Sequence, residues 1–159
     1  MTRGLFVVGV GMSTDTDTTA AAIVPASHAD LLERPVFAHL ATVRPNGAPM
    51  SSVMWFAWDG ARLRMTHTKT RQKFANLAED PRLALSIADP DDEYRSLEVR
   101  GVLESVEDDD ADASFYKGLQ HRYGRDYEVT DKDVRVVMTV RPTKFIATED
   151  GGITATSKA

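Results

Sequence analysis

Two tight-turn dipeptides set between alternating apolar segments most constrain the fold of this chain. Asn46-Gly47 follows an apolar segment at 36–43, and Asp59-Gly60 stands between segments at 49–58 and 62–68. Both dipeptides favour the positive φ angles of a β-hairpin turn. Apolar and polar side chains alternate in the third segment, which is the period of a half-buried strand. The three segments therefore predict an antiparallel meander.

The rest of the chain continues this pattern. Further strands are predicted at 83–87, 97–103 and 134–140, and Pro142 is expected to end the last of them. Short helices are predicted just before the first strand, after the third strand, and in the acidic segment that precedes Gly124. Six strands joined mostly by hairpins, with two or three short helices, predict a mainly β fold built as an antiparallel barrel.

The length of the chain indicates one domain. At 159 residues a single hydrophobic core is the default. We expect residues 1–26 to be a flexible N-terminal tail, because the segment lacks periodicity and is rich in Thr, Asp and Ala. Residues 27–149 form the expected domain. Residues 150–159 are expected to be a flexible, Gly-rich C-terminal tail.

Composition excludes several classes of protein. Cysteine is absent, which excludes disulfides and thiolate zinc sites and is compatible with a cytoplasmic location. No apolar run approaches the ~18 residues of a membrane span, so no membrane partner is expected. The net charge of −5 argues against nucleic acid as the partner. Four scattered histidines show no metal-ligand spacing, and no metal site is predicted.

The helix after the third strand carries its charges in the unfavourable order. Lys69, Arg71 and Lys73 stand at its beginning, whereas Glu79 and Asp80 stand at its end. A helix is stabilised by the opposite arrangement, so a bound anion at its N-terminus would compensate. The pattern indicates a phosphate site, with threonine hydroxyls nearby as further donors. The alternative is a solvated surface cluster paired with local carboxylates.

The order of these elements resembles the pyridoxamine phosphate oxidase-like split β-barrel superfamily, especially its branch of deazaflavin-dependent reductases. The resemblance covers roughly 30–148, and it is carried by the segments at 37–42, 49–53, 71–81 and 97–101. It implies a six-stranded split barrel like that of FMN-binding proteins. It also implies a homodimer with the cofactor in a groove between the subunits.

The resemblance further implies which residues bind the cofactor. The end of the third strand and the next helix would hold the phosphate, through Thr66, His67, Thr68, Arg71 and Lys73. The second strand would pass beside the ring, at Ser52, Val53, Met54 and Trp55. The loop before the fifth strand would reach across from the partner subunit, with Tyr94 and Ser96. Lys69 has no firm counterpart, so a smaller contribution is expected from it.

The same resemblance implies an oxidoreductase that transfers a hydride to or from a small organic substrate. Coenzyme F420 is the expected cofactor, with FMN as the alternative. The basic residues that hold pyridoxine phosphate near the C-terminus of the oxidase branch have no match here, which argues against vitamin B6 oxidation. A non-catalytic protein that binds or stores such a cofactor is the competing hypothesis. The sequence identifies no catalytic acid or base, no substrate and no direction of the reaction.

Overall fold

A computed structural model of the chain describes residues 22–158 as an antiparallel β structure with three short α-helices. The strands are β1 (Ala38–Val43), β2 (Pro49–Met54), β3 (Ala57–Trp58), β4 (Leu63–Thr68), β5 (Arg82–Asp89), β6 (Asp92–Asp108), β7 (Arg135–Glu149) and β8 (Gly152–Lys158). The helices are α1 (Asp30–Glu33), α2 (Gln72–Glu79) and α3 (Ser114–Arg122). Short 3₁₀ turns lie at Ala26–His28 and Lys132–Val134.

The strands form one sheet in the order β2-β1-β5-β6-β7-β4-β3, with β8 added to β7. All of the pairs are antiparallel. The long strand β7 pairs along one edge with β6, while on its other edge its first half pairs with β4 and its second half with β8. The predicted mainly β, antiparallel split-barrel class is confirmed.

The structure has eight strands where six were predicted. The predicted second strand divides into β2 and β3 at Trp55 and Phe56. The cause is tertiary, because Phe56 is fully buried and its backbone N–H donates to the Tyr123 hydroxyl at 3.2 Å. β8 is the other additional strand.

Pro142 does not end the last predicted strand, which continues to Glu149. Pro142 lies opposite Gly101, at a register shift between β6 and β7. A bulge leaves ladder groups unpaired, so the missing N–H of a proline is tolerated there. Gly101 is itself required by the close approach, because a Cβ at this position would lie 2.7 Å from the Arg141 carbonyl oxygen.

The C-terminal segment 152–158 is a strand rather than the expected flexible tail. It pairs with β7 from Lys144 to Glu149. Asp150 and Gly151 both have positive φ, 49° and 76°, so the dipeptide that suggested fraying is a hairpin turn. Residues 1–21 of the expected N-terminal tail lie outside the described residues, while Ser157 Oγ donates a hydrogen bond to the Ile23 carbonyl.

The core is formed mostly by side chains of the strands, and Leu31 and Leu32 of α1 and Leu77 of α2 complete it. Its largest fully buried side chains include Phe56, Phe145, Leu40 and Leu63. Side chains in β1 alternate between buried and exposed along the whole strand, as the sequence period predicts. None of the helices in the described part of the chain has the length and apolar character needed to cross a bilayer.

Candidate functional site

A groove of about 340 Å³ opens where the end of β2, the middle of β4, α3 and the start of β7 meet. Its lining residues are Val53, Met54, Trp55, Thr66, His67, Tyr116, Tyr127 and Arg135. Five of these eight were predicted from the sequence as cofactor-binding residues. The groove is therefore the place at which the predicted ring-binding strand and the predicted phosphate-binding segment come together.

Aromatic side chains form one wall of the groove. The Trp55 ring lies nearly parallel to Tyr123, with centroids 5.0 Å apart and an interplanar angle of 9°. Tyr127 is also nearly parallel to Trp55, at 6.4 Å and 10°. Tyr123 is fixed because its hydroxyl donates to the Val36 carbonyl oxygen at 2.8 Å. The result is a preformed cluster of nearly parallel aromatic rings beside the groove.

Lys73 is a buried cation without a carboxylate partner. It lies in the first turn of α2 and is only 7% exposed. Its Nζ lies 3.1 Å from Met54 Sδ, and no ion pair in residues 22–158 includes it. Burial, and next the charge of Arg71, lower the pKa of Lys73. A buried ammonium group normally has an anionic partner, so this geometry favours a bound anion.

His67 is half-buried among cations, and its burial together with their charges favours the neutral ring. Burial, then the charges of Lys73, Arg71 and Arg135, lower its pKa from 6.5 to about 4. Its Nδ1 accepts the Thr68 backbone N–H at 2.8 Å. In the neutral ring this assigns the proton to Nε2, which can donate to a ligand.

Arg71 completes the cation cluster at the N-terminus of α2. It is the N-cap residue, its side chain caps no backbone group, and it is exposed. Among the residues that the structure describes, no carboxylate pairs with its guanidinium. The first turn of α2 contains no acidic residue. An exposed arginine beside free helix N–H groups suits a phosphate, which accepts two hydrogen bonds from one guanidinium.

Lys69 and two of the threonines already have partners. Lys69 Nζ lies 2.6 Å from an Asp108 carboxylate oxygen, so its charge is locally balanced. Thr66 Oγ1 donates to the Val136 carbonyl oxygen at 2.9 Å, and Thr68 Oγ1 lies 3.1 Å from Thr70 Oγ1. The polar side chains of this segment that remain without such a partner in residues 22–158 are therefore Arg71 and Lys73, together with Nε2 of His67.

Seven of the twelve predicted residues lie outside the groove lining. Four of them, Thr68, Lys69, Arg71 and Lys73, belong to the adjoining segment 68–73, and the other three are Ser52, Tyr94 and Ser96. Ser52 is half-buried on β2, opposite Leu40 of β1. Ser96 is far from the groove along the sheet. It pairs with residue 148 of β7, whereas the groove residue Thr66 pairs with residue 137, which is 11 residues earlier on the same strand. That is roughly 35 Å at the rise of a β-strand. Tyr94, beyond Ser96 on β6, is 60% exposed, so one subunit does not bring either residue to its own groove.

Three groove residues were not predicted: Tyr116, Tyr127 and Arg135. The Arg135 guanidinium lies 3.6 Å from the Tyr116 ring centroid and is also hydrogen-bonded to Asp131 at 2.6 Å and 2.7 Å. The sequence around Tyr116 indicated only a helix. The place of Arg135 in the groove depends on β7 pairing with β4, and that of Tyr116 and Tyr127 on the packing of α3 and its following loop, neither of which local patterns encode. Within 22–158, no three His, Asp or Glu side chains converge as metal ligands.

Comparisons with known proteins agree with this architecture. The family model for pyridoxamine 5′-phosphate oxidase matches residues 24–149. A solved structure named F420 reductase is 49% identical, covers 77% of this chain and 98% of its own, and has a TM-score of 0.74. A putative pyridoxamine 5′-phosphate oxidase from Listeria innocua is 20% identical over 79% of this chain and 97% of its own, with a TM-score of 0.62.

A third solved structure is an FMN-binding protein related to pyridoxamine 5′-phosphate oxidase, from Nostoc punctiforme. It is 15% identical, covers 82% of this chain and 87% of its own, and has a TM-score of 0.58. At that identity the likeness shows the fold alone. No functionally curated protein matches the chain.

Proposed function

Because this chain belongs to the pyridoxamine 5′-phosphate oxidase family, we propose that it is an oxidoreductase that uses coenzyme F420 to transfer a hydride to or from a small organic substrate. FMN is the alternative cofactor. The preference for coenzyme F420 is supported by the 49% identity to the F420 reductase, whereas the FMN-binding neighbour is 15% identical.

The single observation that carries the proposal is the buried, unpaired ammonium of Lys73. Arg71 lies close enough to lower the pKa of Lys73, and both lower the pKa of His67. The charges of Arg71 and Lys73 repel one another, and a bound anion would offset that repulsion. Both candidate cofactors carry a phosphate, and Arg71, Lys73 and the Nε2–H of His67 would hold it.

The aromatic wall supports binding of the cofactor ring. Trp55 offers a flat face fixed by Tyr123, and Val53 and Met54 line the same groove. When bound, the cofactor would supply the hydride chemistry, while the protein supplies orientation and electrostatics. This division of labour agrees with a groove in which His67 is held neutral and no acid–base pair stands out.

We propose that the protein acts as a homodimer in which each groove is completed by the partner subunit. Large apolar side chains are exposed beside the groove, with Val53 57% and Phe37 50% exposed. Tyr94 and Ser96 lie too far along β6 to reach the groove of their own subunit. A second copy would cover the apolar surface and bring Tyr94 and Ser96 to the opposite groove.

Cofactor binding is tested by titrating the protein with coenzyme F420 and with FMN while following fluorescence. The double variant Arg71→Ala/Lys73→Met should bind the cofactor roughly 10-fold to 100-fold less tightly per cation removed, because each charge-assisted hydrogen bond contributes about 1.5–3 kcal/mol. Lys69→Met is the matched control. Its charge is balanced by Asp108, so a smaller loss is expected. Equal binding by the double variant would refute the assignment.

Turnover separates the oxidoreductase from a binding or storage protein. The cofactor-loaded protein is mixed with candidate electron acceptors, and the absorbance of the cofactor is followed. A change of redox state that depends on the acceptor supports the enzyme. A loaded protein that stays in one redox state with every acceptor supports storage instead.

Subunit complementation tests the shared groove. A complex of twice the 17.5 kDa chain mass is expected in solution. Arg71→Ala and Tyr94→Ala should each weaken cofactor binding as pure proteins. In mixed dimers one groove then carries both substitutions and the other carries neither, so about half of the mixed dimers' sites should recover normal affinity. No recovery would show that Tyr94 does not act across the interface.

A further inference from the structure

A second cavity, of about 570 Å³, lies between α3 and the loop that leads from it to β7. Its lining residues are Lys117, Gln120, His121, Arg125, Asp126, Tyr127, Glu128, Val129 and Lys132. Its volume lies within the range of small-molecule sites. Nothing in the proposed cofactor chemistry uses this cavity.

The fixed charges of the cavity sum to +1. Lys117, Arg125 and Lys132 stand against Asp126 and Glu128, in a chain whose net charge is −5. None of the five pairs with an opposite charge elsewhere in residues 22–158. The cavity is thus locally basic on an acidic protein, and its cations are available to a ligand.

Gln120 supplies a second and independent observation. It is 3% exposed, and its Oε1 accepts the Tyr127 backbone N–H. Its Nε2 is buried and has no hydrogen-bond partner in the described part of the chain. Buried amide donors are almost always satisfied, and Gln120 borders the cavity, so a small shift of its side chain would bring Nε2 to an acceptor bound there.

We propose that this cavity binds an organic carboxylate as a molecule separate from the cofactor. A carboxylate oxygen accepts the hydrogen bond of Gln120 Nε2, while Arg125 and Lys132 supply the balancing charge. The remaining volume, bordered by Tyr127 and Val129, accommodates the hydrocarbon part of the ligand. The proposal does not depend on the identity of the cofactor.

The position of the cavity suits a ligand that acts together with the groove. Tyr127 lines both spaces, and its ring lies nearly parallel to Trp55 in the groove wall. Helix α3 contributes Tyr116 to the groove and Gln120 to the cavity. A carboxylate bound at Gln120 therefore lies one side chain away from the proposed ring site, as expected for a substrate that carries an acid group.

The test is an NMR titration of the ¹⁵N-labelled full chain with benzoate, and with benzamide as its uncharged counterpart. Benzoate at millimolar concentration should shift the side-chain NH₂ signals of Gln120 and saturate. Benzamide should bind at least about tenfold more weakly, because it brings no charge to Arg125 and Lys132. The absence of a saturable shift at Gln120 with benzoate would overturn the proposal.

Variants separate the site from general charge attraction. Gln120→Glu keeps the acceptor for Tyr127 but removes the donor, so benzoate binding should fall at least about tenfold. Arg125→Met/Lys132→Met should have a similar effect. Its matched control is Lys144→Met/Lys158→Met, which removes the same charge from the β7–β8 hairpin and should leave benzoate binding unchanged. Equal losses in both double variants would mean nonspecific attraction and would overturn the site.

A competition experiment tests whether the carboxylate belongs to a separate molecule. Benzoate is titrated into protein saturated with coenzyme F420 or FMN, whichever binds. Unchanged affinity supports a separate ligand, whereas mutual exclusion would make the cavity part of the cofactor site and overturn the proposal. If neither cofactor binds, the cofactor assignment fails while the benzoate titration of the free protein still decides the carboxylate site.

Discussion

Binding of a phosphate at the N-terminus of α2 should raise the pKa of His67. In the free protein that pKa is lowered from 6.5 to about 4, first by burial and then by Lys73, Arg71 and Arg135. A phosphate among these cations offsets their repulsion of the imidazolium. A bound phosphate does not expose the ring to solvent. It therefore reverses only the part of the pKa shift that comes from the neighbouring charges.

The size of the effect follows from the structure. Lowering a pKa from 6.5 to about 4 corresponds to about 3 kcal/mol of interaction that favours the neutral ring. The ring is half-buried, and solvent screens part of the contribution from charge. We therefore expect a bound phosphate to raise the pKa of His67 by roughly 1 pH unit. In the free protein, Lys73→Met should also raise this pKa, because it removes a neighbouring positive charge.

The assay is NMR of the histidine ring signals as a function of pH, with and without the cofactor. His67→Gln identifies the signal among the four histidines. Lys69→Met serves as the control, because Asp108 already balances Lys69 and the pKa of His67 should not respond. A pKa near 6.5 in the free protein, or one that is insensitive to Lys73→Met, would refute the electrostatic reasoning.

The same shift makes stability depend on pH. The pKa of His67 is lower in the folded protein than in the unfolded chain, so below pH 6.5 the unfolded chain binds the proton first. The stabilisation is complete above pH 6.5 and is lost as the pH falls towards 4. After allowance for screening it amounts to about 1–2 kcal/mol. His67→Gln should flatten this part of the pH profile in urea unfolding experiments.

Three further predictions concern packing, the C-terminus and the ring site. Gly101→Ala should lower the free energy of unfolding by about 1–3 kcal/mol in urea titrations, because the new Cβ would clash with the Arg141 carbonyl oxygen. Its control is Gly118→Ala in α3, where the new Cβ has free space, and this variant should raise the free energy of unfolding by up to about 1 kcal/mol. Hydrogen exchange should find the paired amides at 153–157 protected, and exchange at the rate of an unfolded chain would contradict β8. Trp55→Leu should weaken binding of the whole cofactor roughly threefold to tenfold but leave inorganic phosphate binding unchanged, and equal losses for both would contradict a stacking role.

Features that depend on neighbouring residues were predictable from the sequence. The turns at 46–47 and 59–60 were predicted because glycine readily adopts positive φ, which is 84° at Gly47 and 97° at Gly60. The unfavourable order of charges along α2 could be recognised from the sequence, because the direction of a helix dipole depends only on the helix itself. Pro142 was interpreted wrongly because its tolerance depends on a bulge opposite Gly101, more than 40 residues away in the chain.

The site was predictable only in part for the same reason. Sequence indicated that Lys73 carries a charge at a helix N-terminus, but its burial against Met54 is a tertiary fact. Tyr127 and Arg135 enter the groove from a loop and a strand that local patterns cannot place. The segment after Asp150 contains a hairpin dipeptide, and its pairing with β7 was missed because the glycines were interpreted as disorder.

The pairing of β4 with β7 has a consequence for the order of events during synthesis. Thr66 lies opposite Val137, so the β4 side of the groove lacks its neighbouring strand until β7, about 70 residues later in the chain, has been synthesised. Contacts this distant in sequence form late, because closing the intervening loop is slow. A nascent chain that ends before β7 carries Arg71, Lys73 and Trp55 but has no groove in which to use them. The proposed cofactor site therefore forms only after β7 has left the ribosome.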